Sequence, residues 1–374
     1  MKTVVIAIGG GLSGVDSWAY DLRRWFEQHP SYRIRTLSLG KKNTAADFSA
    51  WHPRQIFGVL QALKPSIVIP NYLPLLFRYA LTHDTPAIGM CHSDSDYEYY
   101  IPLSLYEPLV GLFVAVSPEC HLRLATHIAH RKHDIVTVPY GVAAGPLAPV
   151  RGSDTPLRLL YAGRLVQVQK RALDLVHLVA QLDALGVPFH LTVAGDGDVA
   201  PFLERAFAGR NDVALVGRVA MSDMRALMTE HDVYVQVSNF EGTSTSLLQA
   251  LSAGLVPCVT LATSGVLSVV RDGESGLIVP VGCMDLMAQG IRQLHQQRDM
   301  LHRLRAGALE RARAFTAEAH VSEMANCFDR VVSASREPIG EIDRAFLDRQ
   351  LASAQRTWMM NYVRSRVAEL VGRK

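Results

Sequence analysis

The sequence predicts an α/β protein built from two doubly wound parallel sheets with a helical tail. Three observations carry this. The chain has 374 residues, beyond the size at which a single hydrophobic core usually stops growing. Short β-branched apolar runs alternate with longer stretches of helical periodicity, as in parallel strands joined by crossover helices. The alternation occurs twice, on either side of "YGVAAGPLAPVRGSDTP" (residues 140–156), which is rich in Gly, Pro and Ala and reads as a linker.

In chain order, the first half offers strands at Val4–Ile8, Arg33–Ser38, Ser66–Ile69, Ala87–Met90, Leu112–Val116 and Ile135–Val138. Each is a short run of apolar, largely β-branched residues bounded by polar residues, Gly or Pro. Amphipathic helical stretches such as Val15–Gln28 and Pro53–Leu63 lie between them. The second half repeats the plan with strands at Leu157–Tyr161, His190–Ala194, Val213–Val216, Val233–Val237, Val256–Thr260 and Leu277–Val279. After Met284 only helical periodicity remains. The expected division is 1–145, 146–340 and a C-terminal helical piece, 341–374, with a ligand held in the cleft between the two sheet domains at the carboxyl ends of their strands.

Composition narrows the class. Apolar residues make up 49% and charged residues 20%, which suits a globular chain with a large core. A net charge of +3 gives no reason to expect a nucleic-acid partner. The five cysteines are scattered without a C-x-x-C pair, so neither a structural zinc site nor a disulfide framework is expected, and a reducing cytoplasm is the default. Met1-Lys2-Thr3 runs straight into strand-like sequence, which is too short for a signal peptide, and the apolar stretch Leu109–Val116 is far below spanning length.

Gly9, Gly11 and Gly14 follow the first strand in the spacing G-x-G-x-x-G. A dinucleotide site also needs a carboxylate about 20 residues on, at the end of the second strand, for the ribose. That place reads Leu39-Gly40-Lys41-Lys42, with no acid before Asp47. The lysines would suit a 2′-phosphate, so NADP stays open on this loop alone. Tight turning with φ > 0 explains the glycines equally well.

The second half is more informative. Gly163 and Arg164 close one strand, and Lys170 opens the next helix, giving two cations at a carboxyl end that suit a diphosphate. Two solvated surface cations are the plain alternative. "VSNFEGTSTSLLQALSAG" (237–254) carries Glu241 at the end of a strand, then Gly242, Thr243, Ser244 and Thr245 at a helix start. Backbone N–H groups there bind anions, and Ser244 or Thr245 would cap the helix in any case. A carboxylate so near a phosphate must face something neutral and hydroxylated, such as a sugar. Gly195, Asp196 and Gly197 form a third strand-to-helix turn.

Taken together, these stretches resemble the donor-binding half of GT-B glycosyltransferases, in particular retaining family 4, the glycosyl transferases group 1. The family pattern is G-R-x5-K, then G-D-G, then E-G-x6-[LV]-E-A followed by G-x-P. Here it reads Gly163-Arg164…Lys170, Gly195-Asp196-Gly197, and Glu241-Gly242…Gln249-Ala250…Gly254…Pro257, with "RDGESGLIVP" resembling a further family stretch, over roughly residues 157–280. The first half matches loosely, through "SGVDSWAYDLRRWF" with Asp16 in the acidic place.

The resemblance implies two Rossmann-like domains facing each other across a cleft, 1–145 binding acceptor and 146–340 binding donor, and a last helix crossing back to the first domain. It implies transfer of a sugar from a nucleoside diphosphate-sugar, UDP- or GDP-linked, to a glycan or lipid-linked acceptor, with retention and without metal or other cofactor. Arg164, Lys170, Glu241 and His92 are then the catalytic candidates. Arg164 and Lys170 serve the departing diphosphate with the amides near Ser244 and Thr245, Glu241 the sugar hydroxyls, and His92 the reacting centre. Gly11, Gly14, Gly163, Gly195, Asp196, Gly217, Arg218, Val219, Gly242, Thr243 and Gln249 complete the donor site, Gly217–Val219 lying near the base. Gln249 departs from the family, which has an acid there for the ribose. Asp94 and Asp96 would activate an acceptor hydroxyl or belong to a solvated loop. On this reading the opening glycines face the donor, and the dehydrogenase alternative fails because it leaves the second-half motifs unexplained. A silent sugar-nucleotide-binding subunit, kept open by Gln249, and a nucleotide-sugar epimerase are the rivals. "HLRLATHIAHRKHD" (121–134) and "RTWMMNYVRSRV" (356–367) are basic and amphipathic, which fits either peripheral contact with an anionic inner membrane or helices packed on their own domain. Oligomeric state is not indicated.

Overall fold

The computed structural model describes residues 1–9, 14–39, 46–50, 53–71, 73–152, 155–334, 340 and 343–354. Gly11, Lys41, Lys42 and the basic stretch 356–367 lie outside the described residues. The chain forms two compact units. Unit 1 holds Met1–Ala115, His121–Val138 and Val321–Lys374; unit 2 holds Val116–Cys120 and Pro139–His320. The chain passes from one unit to the other at 115/116, 120/121, 138/139 and 320/321.

Unit 1 contains strands β1 (Lys2–Ile8), β2 (Tyr32–Leu39), β3 (Phe48–Ala50), β4 (Ile67–Ile69), β5 (Ala87–Cys91), β6 (Val110–Ala115) and β7 (Ile135–Thr137). They form one sheet in the order β3-β2-β1-β4-β5-β6-β7, and every pairing is parallel. Val4, Val5, Ile6 and Ala7 are all completely buried, which requires cover on both faces of the sheet. Helices Gly14–Trp25, Pro53–Leu63, Pro74–His83 and Pro118–His127 follow β1, β3, β4 and β6. Pro74 stands at the start of its helix, where its missing N–H is no loss, and Asp84 ends that helix in the left-handed region at φ 49°. Phe48–Ala50 was not expected as a strand; three residues without a β-branched run carry no periodic signal.

Unit 2 contains β8 (Leu157–Ala162), β9 (Phe189–Ala194), β10 (Val213–Gly217), β11 (Val233–Gln236), β12 (Val256–Thr260) and β13 (Leu277–Val279). Their order is β10-β9-β8-β11-β12-β13, again parallel throughout. One face of this sheet builds the core with Val233, Val235, Val237 and Cys258, against Leu175, Leu178 and Leu182 of helix Asp174–Ala184 and Met287, Ala288 and Ile291 of helix Met284–Gln296. In the latter helix Met284, Met287, Ala288, Ile291 and Leu294 are buried, the i, i+3, i+4, i+7 stripe of a core-facing helix. The expected linker is not loose. Arg225 donates to the carbonyls of Ala143 and Ala144, and Arg305 to that of Ala148.

In each sheet the chain starts at an inner strand, winds outward, then jumps to the other side. The carboxyl ends of β1 and β4, and of β8 and β11, are the resulting switch points, where open α/β sheets bind ligands.

Candidate functional site

The switch point of unit 2 carries the sequence candidates Arg164, Lys170 and Glu241. Lys170 Nζ lies 2.6 Å from Glu241 Oε1, although the two residues are 71 positions apart. Ser238 Oγ donates to the same oxygen at 2.6 Å. Glu241 is only 6% exposed, so its charge is held by these two partners rather than by bulk water. Arg164 is exposed, and its guanidinium donates to Gln169 Oε1.

Gln169 and Asn239 stitch the two loops together. Asn239 N donates to Gln169 O (2.8 Å), Asn239 Nδ2 to Val168 O (2.8 Å), and Gln169 Nε2 to Phe240 O (3.4 Å). Sequence reasoning missed both residues. Gln169 looks no different from Gln167 until the β11 loop is known to lie beside it. Beneath the loops, Tyr161 OH donates to Arg164 O at 2.9 Å, and burial first, then Tyr234 and Glu241, hold its phenol well above its ordinary pKa. It stays a neutral donor supporting the Arg164 backbone.

The glycine turns after β8, β9 and β10 form a ladder of their own. Gly163 N donates to Ala194 O (3.0 Å), Leu165 N to Asp196 O (3.0 Å), and Gly195 N to Gly217 O (2.8 Å). Gly195 sits at φ +152° and Gly217 at φ +66°. A Cβ on Gly195 would collide with the Gly163 carbonyl, so a side chain is excluded by close approach of two backbones as well as by φ. Asp196 pairs with Arg218 at 2.9 Å on the exposed rim, next to Val219.

Beyond Glu241, Gly242, Thr243 and Ser244 are buried. Ser244 is the N-cap of helix Thr245–Ala253, its hydroxyl accepting from Leu247 N, and Thr243 donates to Val116 O at 2.5 Å. Tyr234 OH and Ser246 Oγ share a hydrogen bond of 2.8 Å under this helix start. Gln249 lies one turn further along, half-buried, with no hydrogen bond from its side chain among the described residues.

Unit 1 has a polar cluster at its own switch point. The first-turn acid of helix Gly14–Trp25 bends back, Gly9 N donating to buried Asp16 Oδ1 at 2.7 Å. A carboxylate in that turn opposes the pyrophosphate a dinucleotide would place there. Gly14 is exposed at the helix start. His92, one residue past β5, is buried, with its Nε2 2.9 Å from Asn71 Oδ1 and its ring edge-on to Trp18. Beside it, the Ser93 hydroxyl is buried with no hydrogen-bond partner among the described residues. Asp94 accepts from Arg123 (2.6 Å) and Tyr100 OH (2.9 Å), and Asp96 from Arg123 at 3.2 Å, so both carboxylates are engaged. In the 121–134 stretch, Arg123, His130 and Arg131 pair with Asp94, Glu107 and Asp134 of the same unit. Among the described residues no group of three His, Cys, Asp or Glu is placed to hold a metal, and no helix is long and apolar enough to cross a membrane.

Comparison with known proteins bears on the family pattern and on the fold. Residues 156–297 match the family described as glycosyl transferases group 1. The lipopolysaccharide core biosynthesis glycosyltransferase LpsE of Rhizobium meliloti is 28% identical over 156 residues, 41% of this chain and 43% of that one. The alpha-D-kanosaminyltransferase of Streptomyces kanamyceticus is 24% identical over 158 residues, 41% of this chain and 40% of that one. The chain thus spans about two-fifths of the length of these curated relatives. The crystal structure of Anabaena Alr3699/HepE with UDP and glucose superposes with a TM-score of 0.74 at 13% identity, covering 88% of this chain and all (100%) of that one. The fold is that of the GT-B glycosyltransferases, and residues 156–297 carry the group 1 sequence pattern.

Proposed function

We propose that the chain is a glycosyltransferase. It moves a sugar from a UDP- or GDP-sugar to a glycan or lipid-linked acceptor in cell-surface polysaccharide or glycoconjugate synthesis, with retention of configuration. The observation that carries this is the Lys170–Glu241 pair beside Arg164 at the switch point of the second sheet, inside the segment that matches the family. Lysine has three N–H donors, so Lys170 keeps Glu241 and still takes a phosphate oxygen. The departing diphosphate is carried by Arg164, Lys170 and the amides around Ser244 and Thr245 rather than by a metal. One such preorganised donor is worth about 3–4 kcal/mol of barrier. Glu241 accepts from the donor sugar's hydroxyls and Gln249 from the ribose, while the backbone of Gly217–Val219 meets the base. His92, Gly11 and Gly14 serve the sugar, and the enzyme works on the cytoplasmic side with at most peripheral membrane contact.

The test is release of nucleoside diphosphate from a panel of UDP- and GDP-sugars, with and without EDTA. Release from one donor, undiminished by EDTA and giving a product of unchanged anomeric configuration, is the expected result. Gln249 in the usual acidic place favours a second reading, a subunit that binds sugar nucleotides without turning them over. That reading predicts no release from any donor, together with thermal stabilisation by UDP or GDP of about 2.7 kcal/mol at 100 times the dissociation constant.

A further inference from the structure

At the switch point of the first sheet, one side chain joins the carboxyl ends of three neighbouring strands. Asn71 lies two residues past β4. Its Nδ2 donates to Ala7 O of β1 at 2.7 Å, and its Oδ1 lies 2.9 Å from Nε2 of His92, one residue past β5. The order β1-β4-β5 makes this bridge possible. The Ala7 carbonyl can only accept, so it fixes which end of the amide carries the hydrogens. The amide oxygen then faces His92, and an oxygen without hydrogen needs a donor. His92 Nε2 must therefore bear hydrogen.

Trp18 and Tyr99 meet the ring edge-on, with centroids 4.9 Å and 5.8 Å away, and such contacts tell ring nitrogen from ring carbon poorly. Asn71 itself sits at φ +46°, a left-handed conformation that asparagine tolerates better than most residues. The position thus asks for a residue that accepts φ > 0 and offers a donor and an acceptor at once.

We propose that Asn71 is the positioning residue for His92. It holds the imidazole in one orientation and keeps hydrogen on Nε2, so that the lone pair of the neutral ring is at Nδ1. Use of that ring in sugar transfer rests on the glycosyltransferase reading; its orientation does not.

Long-range proton–nitrogen NMR of the full chain reads the tautomer directly, without any variant. His92 should appear as the Nε2–H form when neutral. Asn71→Gly, which keeps the φ > 0 backbone and removes the amide, should give mixed tautomers. Asn71→Asp, which keeps the backbone tolerance but places a charge beside the ring, should raise the His92 titration midpoint by roughly 1 unit. In a transfer assay Asn71→Gly should lower kcat by roughly 10- to 100-fold with little change in the donor KM. An Nδ1–H tautomer in the parent chain, or an unaltered His92 signal in Asn71→Gly, overturns the proposal. Should the NMR results hold while His92→Ala transfers sugar normally, the positioning stands and the assignment of His92 to the reaction falls.

Discussion

Glu241 and Lys170 are unequal to Arg164 in what their loss should do. Their side chains are 7% and 15% exposed, so truncating the lysine strands a buried carboxylate. Lys170→Ala should lose turnover by about 100- to 1000-fold and also cost roughly 3 kcal/mol of stability, as breaking a buried pair does. Arg164→Ala, at an exposed side chain, should lose turnover alone. Assays of nucleoside diphosphate release and of melting temperature on both variants check this, and an unchanged melting temperature in Lys170→Ala would contradict the buried-pair account. Gln236, at the end of β11, makes the opposite case. It is 2% exposed, and among the described residues neither polar atom of its amide has a hydrogen-bond partner. Such a group costs about 1–3 kcal/mol when left unmade. Gln236→Leu should therefore raise the urea midpoint at unchanged m-value; a fall would mean that the amide holds a buried water.

Among the connecting elements, the glycine turns separate fold from ligand. Gly195 is fixed by its own backbone and by the Gly163 carbonyl it touches, so Gly195→Ala should cost at least about 2 kcal/mol in strain and displace the loop that carries Arg164. Gly163 is different. A Cβ there would have the Tyr161 ring and hydroxyl as its nearest neighbours, at 3.4 Å or more, an ordinary contact. On the proposed function, Gly163→Ala should thus leave the melting temperature nearly unchanged while weakening donor nucleotide, since the glycine would then serve close approach by a ligand. Calorimetry of both variants with UDP and GDP distinguishes the two roles. A large loss of stability in Gly163→Ala would return that glycine to the fold. The helix starting at Thr245 needs no such test, since the Ser244 cap accounts for its start.

For the molecule as a whole, the two ends of the long segment of unit 2 are tied to each other. His320 Nδ1 lies 2.7 Å from Pro139 O, Val142 N donates to Phe315 O at 2.8 Å, and Gly141 leaves room for the His320 side chain. Burial pushes the His320 pKa down from 6.5 to about 4, only partly opposed by the bond to Pro139. The unfolded chain takes up this proton near pH 6.5 and the folded chain only near pH 4. The contribution is therefore complete above the upper value and lost as pH falls through the window, amounting to about 3 kcal/mol for this group. His231, buried against Leu227 and Thr192, shifts in the same direction. Urea unfolding at about pH 5 and pH 7 should show lower stability in acid, and His320→Asn should flatten the difference. Equal stability of the parent chain at both values would remove His320 as the cause.

The sequence by itself determined the local structure. Val4–Ile8, Ala87–Met90 and Val256–Thr260 read as buried parallel strands because their apolar runs are unbroken, and Met284–Gln296 as a helix because its apolar residues recur at helical spacing. It also placed Arg164, Lys170 and Glu241 in loops that follow strands, since Gly163 directly follows one apolar run and a small polar loop follows the other. Phe48–Ala50 escaped because three residues on a sheet edge bury too little to leave a pattern. What only the tertiary structure decided was adjacency. That β8 lies beside β11, and β1 beside β4, depends on strand order, which no local spacing encodes. Gln169 beside Phe240, Lys170 on Glu241, and Asn71 between Ala7 and His92 all follow from those jumps. The same holds for the return of residues 321 onward to unit 1, where Tyr32 donates to Asp329 at 2.6 Å across 297 positions. Periodicity reports which face of an element is apolar; it does not report which other element will cover that face, and the polar contacts at the loops are settled only once that is known.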